Sequence, residues 1–274
     1  MPALARVRAL VCGGLLAAAQ TFASFAAEAA CLRHVADDGS LLLRAAFGPG
    51  GVPPAHVGVT YVGHASFLIE TAGGVKAVTD YNDYVRPGVV PDIATMNNAH
   101  STHYSMAPDP GIAHVLQGWD TPEQVARHDL AVGDVRVFNV PTNIREMGSV
   151  RYNGNSIFVF ETAGMCLAHL GHLHHRLTPE HLALLGQIDV LFVPVDGSWT
   201  LNLNDMTDVI EQLKAPVVIP MHFFSLGGLE RFLATLRDKG TSLNYAVNMS
   251  PTASVLLSRD SLPSRPEILV LPGH

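Results

Sequence analysis

The chain changes rhythm once, near residue 178, and that change limits the folds open to it. From residue 57 the apolar segments are short and β-branched, at 57–62, 65–71, 75–79, 92–97, 135–140, 156–161 and 165–169, a pattern that predicts successive strands. Ala72-Gly73-Gly74 and Thr162-Ala163-Gly164 supply turns between neighbours. After residue 178 helices and strands alternate. Thr178-Pro179-Glu180 places a capping hydroxyl, a first-turn proline and an early acid ahead of a short helix ending near Leu185. Met206, Val209, Ile210 and Leu213 recur at helical spacing within 204–214, and a third helix is predicted over 229–236. Segments 188–195 and 216–221 are continuous apolar strands, and 242–247, 253–257 and 268–271 add further ones. Strand runs followed by strand–helix alternation predict an α/β (α+β) chain with two sheets and helices outside them, rather than an all-β sandwich. With no internal repeat and no linker-like segment, one domain is predicted over 57–274, preceded by an extension at 31–56.

Composition removes several functional classes. The chain has 274 residues, 48% apolar and only 15% charged, which excludes a disordered protein. Its formal charge of -7 gives no basic footprint for a phosphate backbone, so no nucleic-acid partner is expected. Three cysteines are too few for a disulfide scaffold or a thiolate zinc module.

Residues 1–30 read as a secretory signal peptide. Arg6 and Arg8 form a basic start, 9–27 is apolar or small with few exceptions, and Ala26 and Ala29 end small-residue cleavage sites. A periplasmic or secreted protein without stable membrane insertion is therefore expected. After cleavage Cys31 and Cys166 remain, and both are expected as unpaired thiols.

The fourteen histidines nearly equal the Lys+Arg total of 17. Imidazole is the side chain best suited to transition metals. His100 and His103 follow the predicted strand 92–97, His169 and His172 end the strand 165–169, and His222 follows the strand 216–221. Sheet proteins gather their chemistry at strand ends, where the sheet holds loop residues rigidly yet leaves them accessible. A shared metal site built from these five is the predicted centre.

The same segments resemble the metallo-β-lactamase superfamily, and within it zinc-dependent hydrolases of the ascorbate-6-phosphate lactonase type. The resemblance is carried by Gly63-His64-Ala65 in the segment 59–71, by Val78-Thr79-Asp80, and by the run from His169 through His172 to His175 with Leu177-Thr178-Pro179. The segments 188–195 and 217–222 extend it. It implies a four-layer αββα sandwich with metals at one edge.

The metal motif departs from that family's H-x-H-x-D-H. Asn98-Ala99-His100-Ser101-Thr102-His103 puts asparagine at the first histidine and threonine at the aspartate, and His172 stands where a bridging aspartate is expected. Losing both carboxylates makes two adjacent dications mutually costly, so one ion is favoured over two. Neutral imidazoles without carboxylates favour zinc, with iron, copper or nickel as the other candidates. The resemblance further implies that Asp80 orients a ligating histidine, that His64 packs beneath the site, and that His175 supports it. Asp196, after the strand 188–195, is the nearest carboxylate able to accept a proton, and Asn98 and Thr102 are candidates to hydrogen-bond water or substrate. The expected activity is hydrolysis, with metal-activated water attacking an ester, lactone, amide or phosphodiester of a small-molecule substrate. A non-catalytic metal- or ligand-binding protein and an iron or copper redox enzyme are the alternatives.

Overall fold

The computed structural model describes residues 51–97, 100–240, 242 and 244–273. The expected signal peptide, most of the extension at 31–56, and Asn98 lie outside the described residues. Among the described residues, fourteen strands and three α-helices follow in order: β1 (His56–Gly63), β2 (Ser66–Thr71), β3 (Lys76–Val78), β4 (Ile93–Met96), β5 (His114–Gln117), β6 (Asp129–Val132), β7 (Val135–Glu146), β8 (Ser149–Thr162), β9 (Met165–His169), α1 (Pro179–Leu185), β10 (Val190–Pro194), α2 (Leu203–Leu213), β11 (Val217–Met221), α3 (Leu226–Lys239), β12 (Ala246–Met249), β13 (Ser254–Ser258) and β14 (Glu267–Val270).

The strands form two mixed sheets, one ordered β13-β1-β2-β3-β4-β5 and the other β12-β14-β11-β10-β9-β8-β7-β6. Their facing sides interdigitate in one apolar layer, where Val59, Phe67 and Ile93 of the first sheet meet Phe158, Leu167, Phe192 and Ile219 of the second. The outer face of the second sheet is covered by the helices, whose Leu185, Met206, Ile210 and Phe232 pack on Ile157, Leu191 and Val218. The chain is thus mixed α/β with two packed sheets, as the strand–helix rhythm predicts. The fourth layer differs from the expected helical one. Among the described residues, Val78, Ala94 and Met96 on the outer face of the first sheet are covered by loop residues, including Tyr81, Tyr104, Ile112 and Trp119.

Thr178 caps α1, its side chain accepting from the His181 N–H as the sequence predicts. Strands β5 and β6 escaped the sequence reading because both are four-residue strands at sheet edges with exposed positions. The β7–β8 hairpin runs well past the predicted 135–140 and 156–161, because Thr142, Asn143, Asn153 and Asn155 extend it with polar residues that break the apolar alternation. Cys166 is disulfide-bonded, which corrects the expectation of unpaired thiols; Cys12 and Cys31 lie outside the described residues.

Candidate metal centre

Parallel strands bring the site together. In the second sheet β9, β10 and β11 are adjacent and parallel, pairing Phe192 with His169 and Pro194 with Met221. Their C-terminal ends therefore deliver His169, Asp196 and His222 to one edge. In the first sheet β3 and β4 are also parallel, pairing Val78 with Ala94, which places Asp80 beside the segment carrying His100 and His103. The β1–β2 turn adds His64, whose carbonyl accepts from the His222 N–H at 2.8 Å. His64, Asp80 and His222 all hold left-handed backbone, at φ of 56°, 42° and 55°. Such conformations cost non-glycine residues roughly 1–3 kcal/mol each, and a packed surround must hold them.

One ring nitrogen from each of His64, His100, His103 and His222 lies within 4.8 Å of the others. His103 and His222 share one design. The His103 Nδ1–H donates to Asp80 Oδ2 at 2.5 Å, and His222 Nδ1 sits 3.1 Å from Asp196 Oδ1. Both imidazoles are fully buried; His103 Nε2 has no hydrogen-bond partner, and for His222 neither ring nitrogen has one, Asp196 lying beside Nδ1 outside hydrogen-bond geometry. A carboxylate on the far nitrogen fixes the ring and its tautomer, leaving the near lone pair for a cation. Buried lone pairs without partners are costly unless something binds them. The donor set therefore fits a transition-metal ion.

Asp80 is held in turn by Asn97, whose amide donates to Oδ1 at 2.9 Å while its oxygen accepts from the Ser156 N–H at 2.8 Å. Burial pushes the Asp80 carboxyl up to about 6, against the pull of His169 and Asn97. For Asp196 the balance reverses. Burial would raise it, but the adjacent His222 and hydrogen bonds from Thr200 and the Ser198 backbone hold it well below the ordinary carboxylate range. Its Oδ2 also accepts from the Trp199 and Thr200 N–H groups at 2.5 and 3.2 Å. Asp196, expected as a proton acceptor, is placed beside His222 with both oxygens engaged, Oδ1 by the Thr200 hydroxyl and Oδ2 by the N–H groups of its own loop.

The remaining imidazoles form a chain. The Arg145 N–H donates to His174 Nδ1 at 3.0 Å, and His174 Nε2 lies 2.6 Å from His172 Nδ1. His172 Nε2 lies 3.1 Å from His100 Nε2, His100 Nδ1 lies 2.8 Å from Thr102 Oγ1, and Thr102 Oγ1 lies 2.9 Å from His64 Nε2. Burial lowers His100 and His172, and takes His64 to about 3 and His174 to about 4, so all four are neutral near pH 7. A neutral imidazole has one donor and one acceptor nitrogen. The Arg145 N–H can only donate, so it makes His174 Nδ1 an acceptor. That sets each later bond: His174 donates to His172, His172 to His100, His100 to Thr102, and Thr102 to His64.

His169 is placed differently from its expected ligand role. Its ring lies between the sheets beside Phe67 and Phe192. Its Nε2–H donates to the Ala65 carbonyl at 2.8 Å and its Nδ1 accepts from the Gly171 N–H at 3.2 Å. Both nitrogens are spent, and the residue ties one sheet to the other. His64, expected beneath the site, instead contributes to the cluster. His175 also leaves its expected place, with Nε2 accepting from the Asn143 N–H at 3.0 Å and Nδ1–H donating to the Arg176 carbonyl at 2.8 Å; it fastens the α1 segment to β7. The Asn97 bridge was missed by sequence reasoning, and His174, which flanks the ligand run, could not be told from a surface residue until its bonds to Arg145 and His172 were seen.

A protein-family model for the β-lactamase superfamily domain matches residues 58–222. The chain belongs to that superfamily. It is 25% identical over 225 residues to a UPF0173 metal-dependent hydrolase of Carboxydothermus hydrogenoformans, covering 73% of this chain and 99% of the relative. A UPF0173 metal-dependent hydrolase of Methanoculleus marisnigri is 25% identical over 219 residues, with 72% and 95% covered. Among solved structures, a metallo-β-lactamase superfamily protein from Thermotoga maritima superposes with a TM-score of 0.55 at 27% identity, covering 78% of this chain and 98% of that one. Igni18, a metallo hydrolase from Ignicoccus hospitalis, superposes at 0.51 with 18% identity, covering 74% and 99%, and so shares the fold.

Proposed function

We propose that this protein is an exported metal-dependent hydrolase acting on a small molecule, with one ion, zinc first among candidates, held by histidines alone. The observation that carries the reading is the pair of buried, unpartnered nitrogens on His103 and His222, each backed by a carboxylate. His64 and His100 complete the donor set by giving up the bonds they accept from Thr102 and His172. A bound zinc supplies Lewis acidity and a lowered water pKa.

The chain's own residues define the rest. Asp80 and Asp196 fix the ligating rings, and Phe224 packs at 5.7 Å from His64 and 5.4 Å from His222 and limits water on that side. His172 serves as a hydrogen-bond donor. To ligate a metal it needs the opposite tautomer, which turns a protonated His174 Nδ1 against the Arg145 N–H. In the donor state its Nε2–H is available to a substrate oxygen on which charge develops, a role that oriented donors fill in many hydrolytic sites. The Cys166 disulfide supports export, since such bonds persist in oxidising compartments. No helix among the described residues is long and apolar enough to cross a membrane.

The test is metal content and turnover together. Untagged protein reconstituted with zinc is expected to retain about one equivalent and to hydrolyse at least one of an ester, lactone, amide or phosphodiester reporter, with both properties lost in His222→Ala. Retention below about a tenth of an equivalent sinks the reading.

A further inference from the structure

Two cavities open onto the histidine cluster, and their linings differ in kind. One, of about 560 Å³, is lined by His100, His172, Arg145, Arg151 and Trp199 among others. Its lining holds those two guanidinium groups against the single carboxylate of Glu146, in a chain whose formal charge is -7. A local excess of positive charge on a negative protein concentrates anions at that mouth. The other cavity, of about 600 Å³, begins at His64 and is walled by Phe223, Phe224, Leu226, Leu229 and Met249. Apart from His64 its lining contains no ionisable side chain.

Phe224 is 67% exposed and Leu226 69% exposed. Large apolar side chains left in water beside a reactive centre favour an apolar ligand, because covering them removes that surface from solvent. Thr102, whose hydroxyl contacts both His64 and His100, links the histidine that lines one cavity to a histidine that lines the other.

We propose that the site takes an amphiphilic acyl compound. Its acyl chain lies against Phe223, Phe224 and Leu226, its anionic part faces Arg145 and Arg151, and the acyl bond falls between them at the histidines. The proposal rests on the hydrolase reading. The bond from the acyl carbon to oxygen or nitrogen breaks, water oxygen joins the acyl carbon, and one water proton goes to the leaving atom. The other proton is released when the product acid ionises, leaving a carboxylate and an anionic alcohol or amine.

Equilibrium binding tests the two halves without requiring turnover. Straight-chain alkanoates compete with a fluorescent fatty-acid probe on the purified protein. Affinity is expected to rise at least about tenfold from butanoate to decanoate, and the gain should largely disappear in Phe224→Ser and in Leu226→Ser. Phenyl phosphate is expected to bind severalfold more weakly to Arg151→Gln and to weaken with added salt. These side chains are solvent-facing or partly so, and circular dichroism verifies that each variant is folded. Affinity indifferent to chain length, or phenyl phosphate binding untouched in an Arg145→Gln/Arg151→Gln double variant, overturns the proposal. So does a dimer that dissociates in Phe224→Ser without any chain-length effect, which assigns the apolar face to a second copy. Binding as expected with no turnover of any acyl reporter by the zinc-loaded protein defeats the hydrolase reading and leaves the amphiphile site standing. Turnover of acyl reporters with no chain-length dependence defeats this proposal alone.

Discussion

His103 and His222 differ from His100 and His172 in what holds the far nitrogen, and that difference goes with whether the near nitrogen is unpartnered or already bonded to another ring. In the first pair a buried carboxylate takes the Nδ1 side, and Nε2 has no partner. In the second pair the far nitrogens meet His174 and Thr102, and the near nitrogens meet each other. The residue type is the same, and so is the general position at a strand end. The partner on the far side decides which nitrogen keeps its proton, and hence whether the ring offers a lone pair or an N–H.

The largest expected effect comes from removing a carboxylate-backed ring. His103→Ala should reduce zinc retention below about a tenth of an equivalent by elemental analysis. His172→Gln, which keeps a donor, should retain most of it. Equal loss in both would erase the distinction between the pairs.

Next come the carboxylates. Asp80→Asn and Asp196→Asn should each weaken zinc affinity about 10–100-fold in competition with a chelator, the usual cost of a lost orienting partner. Asp196→Ala should also lower the unfolding free energy by about 1–3 kcal/mol, since the Trp199 and Thr200 N–H groups lose their acceptor. If Asp196→Asn abolishes turnover while zinc affinity stays unchanged, the carboxylate is a proton acceptor after all.

A third prediction concerns pH. Burial lowers His103, His169 and His172, and leaves His64 at about 3 and His174 at about 4, against about 6.5 when unfolded. Below that value the unfolded chain binds protons that the folded one refuses, so stability falls as pH drops toward the folded values. Asp80, raised to about 6 by burial, acts oppositely: it favours the folded state at low pH, and that contribution is lost as pH rises through about 6. The histidines outnumber it. The metal-free protein should therefore show a lower urea midpoint at pH 5 than at pH 7.5, and an equal or higher midpoint would mean these rings are not held neutral.

The smallest effect is the sharpest for the comparison. Nitrogen NMR of the metal-free protein should find His172 and His174 protonated at Nε2. Arg145→Pro removes the one N–H that sets this direction, at a position without a β6 partner, and should mix the tautomers. Predominant Nδ1 protonation of His172 in the unaltered protein would return it to the ligands.

Much of this molecule was legible in one dimension. The strand-then-helix rhythm specified two sheets with helices outside, because apolar spacing records which face of each element is buried. The positions of His100, His103, His172 and His222 at strand ends marked the site edge. Sequence could not assign His64 or His169. Both are histidines at strand ends, yet a left-handed turn carries one ring into the cluster, while the other spends both nitrogens on the Ala65 carbonyl and the Gly171 N–H. The polar stretch of β7 and β8 was equally opaque, since its asparagines serve partners distant in the chain.

The sequence by itself determined the mixed α/β class with two packed sheets, the edge where the histidines gather, and the replacement of the expected carboxylate ligands by neutral groups. The tertiary structure alone decided which imidazoles offer lone pairs and which offer protons. That choice is set by the second hydrogen bond of each ring, and those bonds come from residues brought near only by folding: Asp80, Asp196, and a backbone N–H on a distant strand.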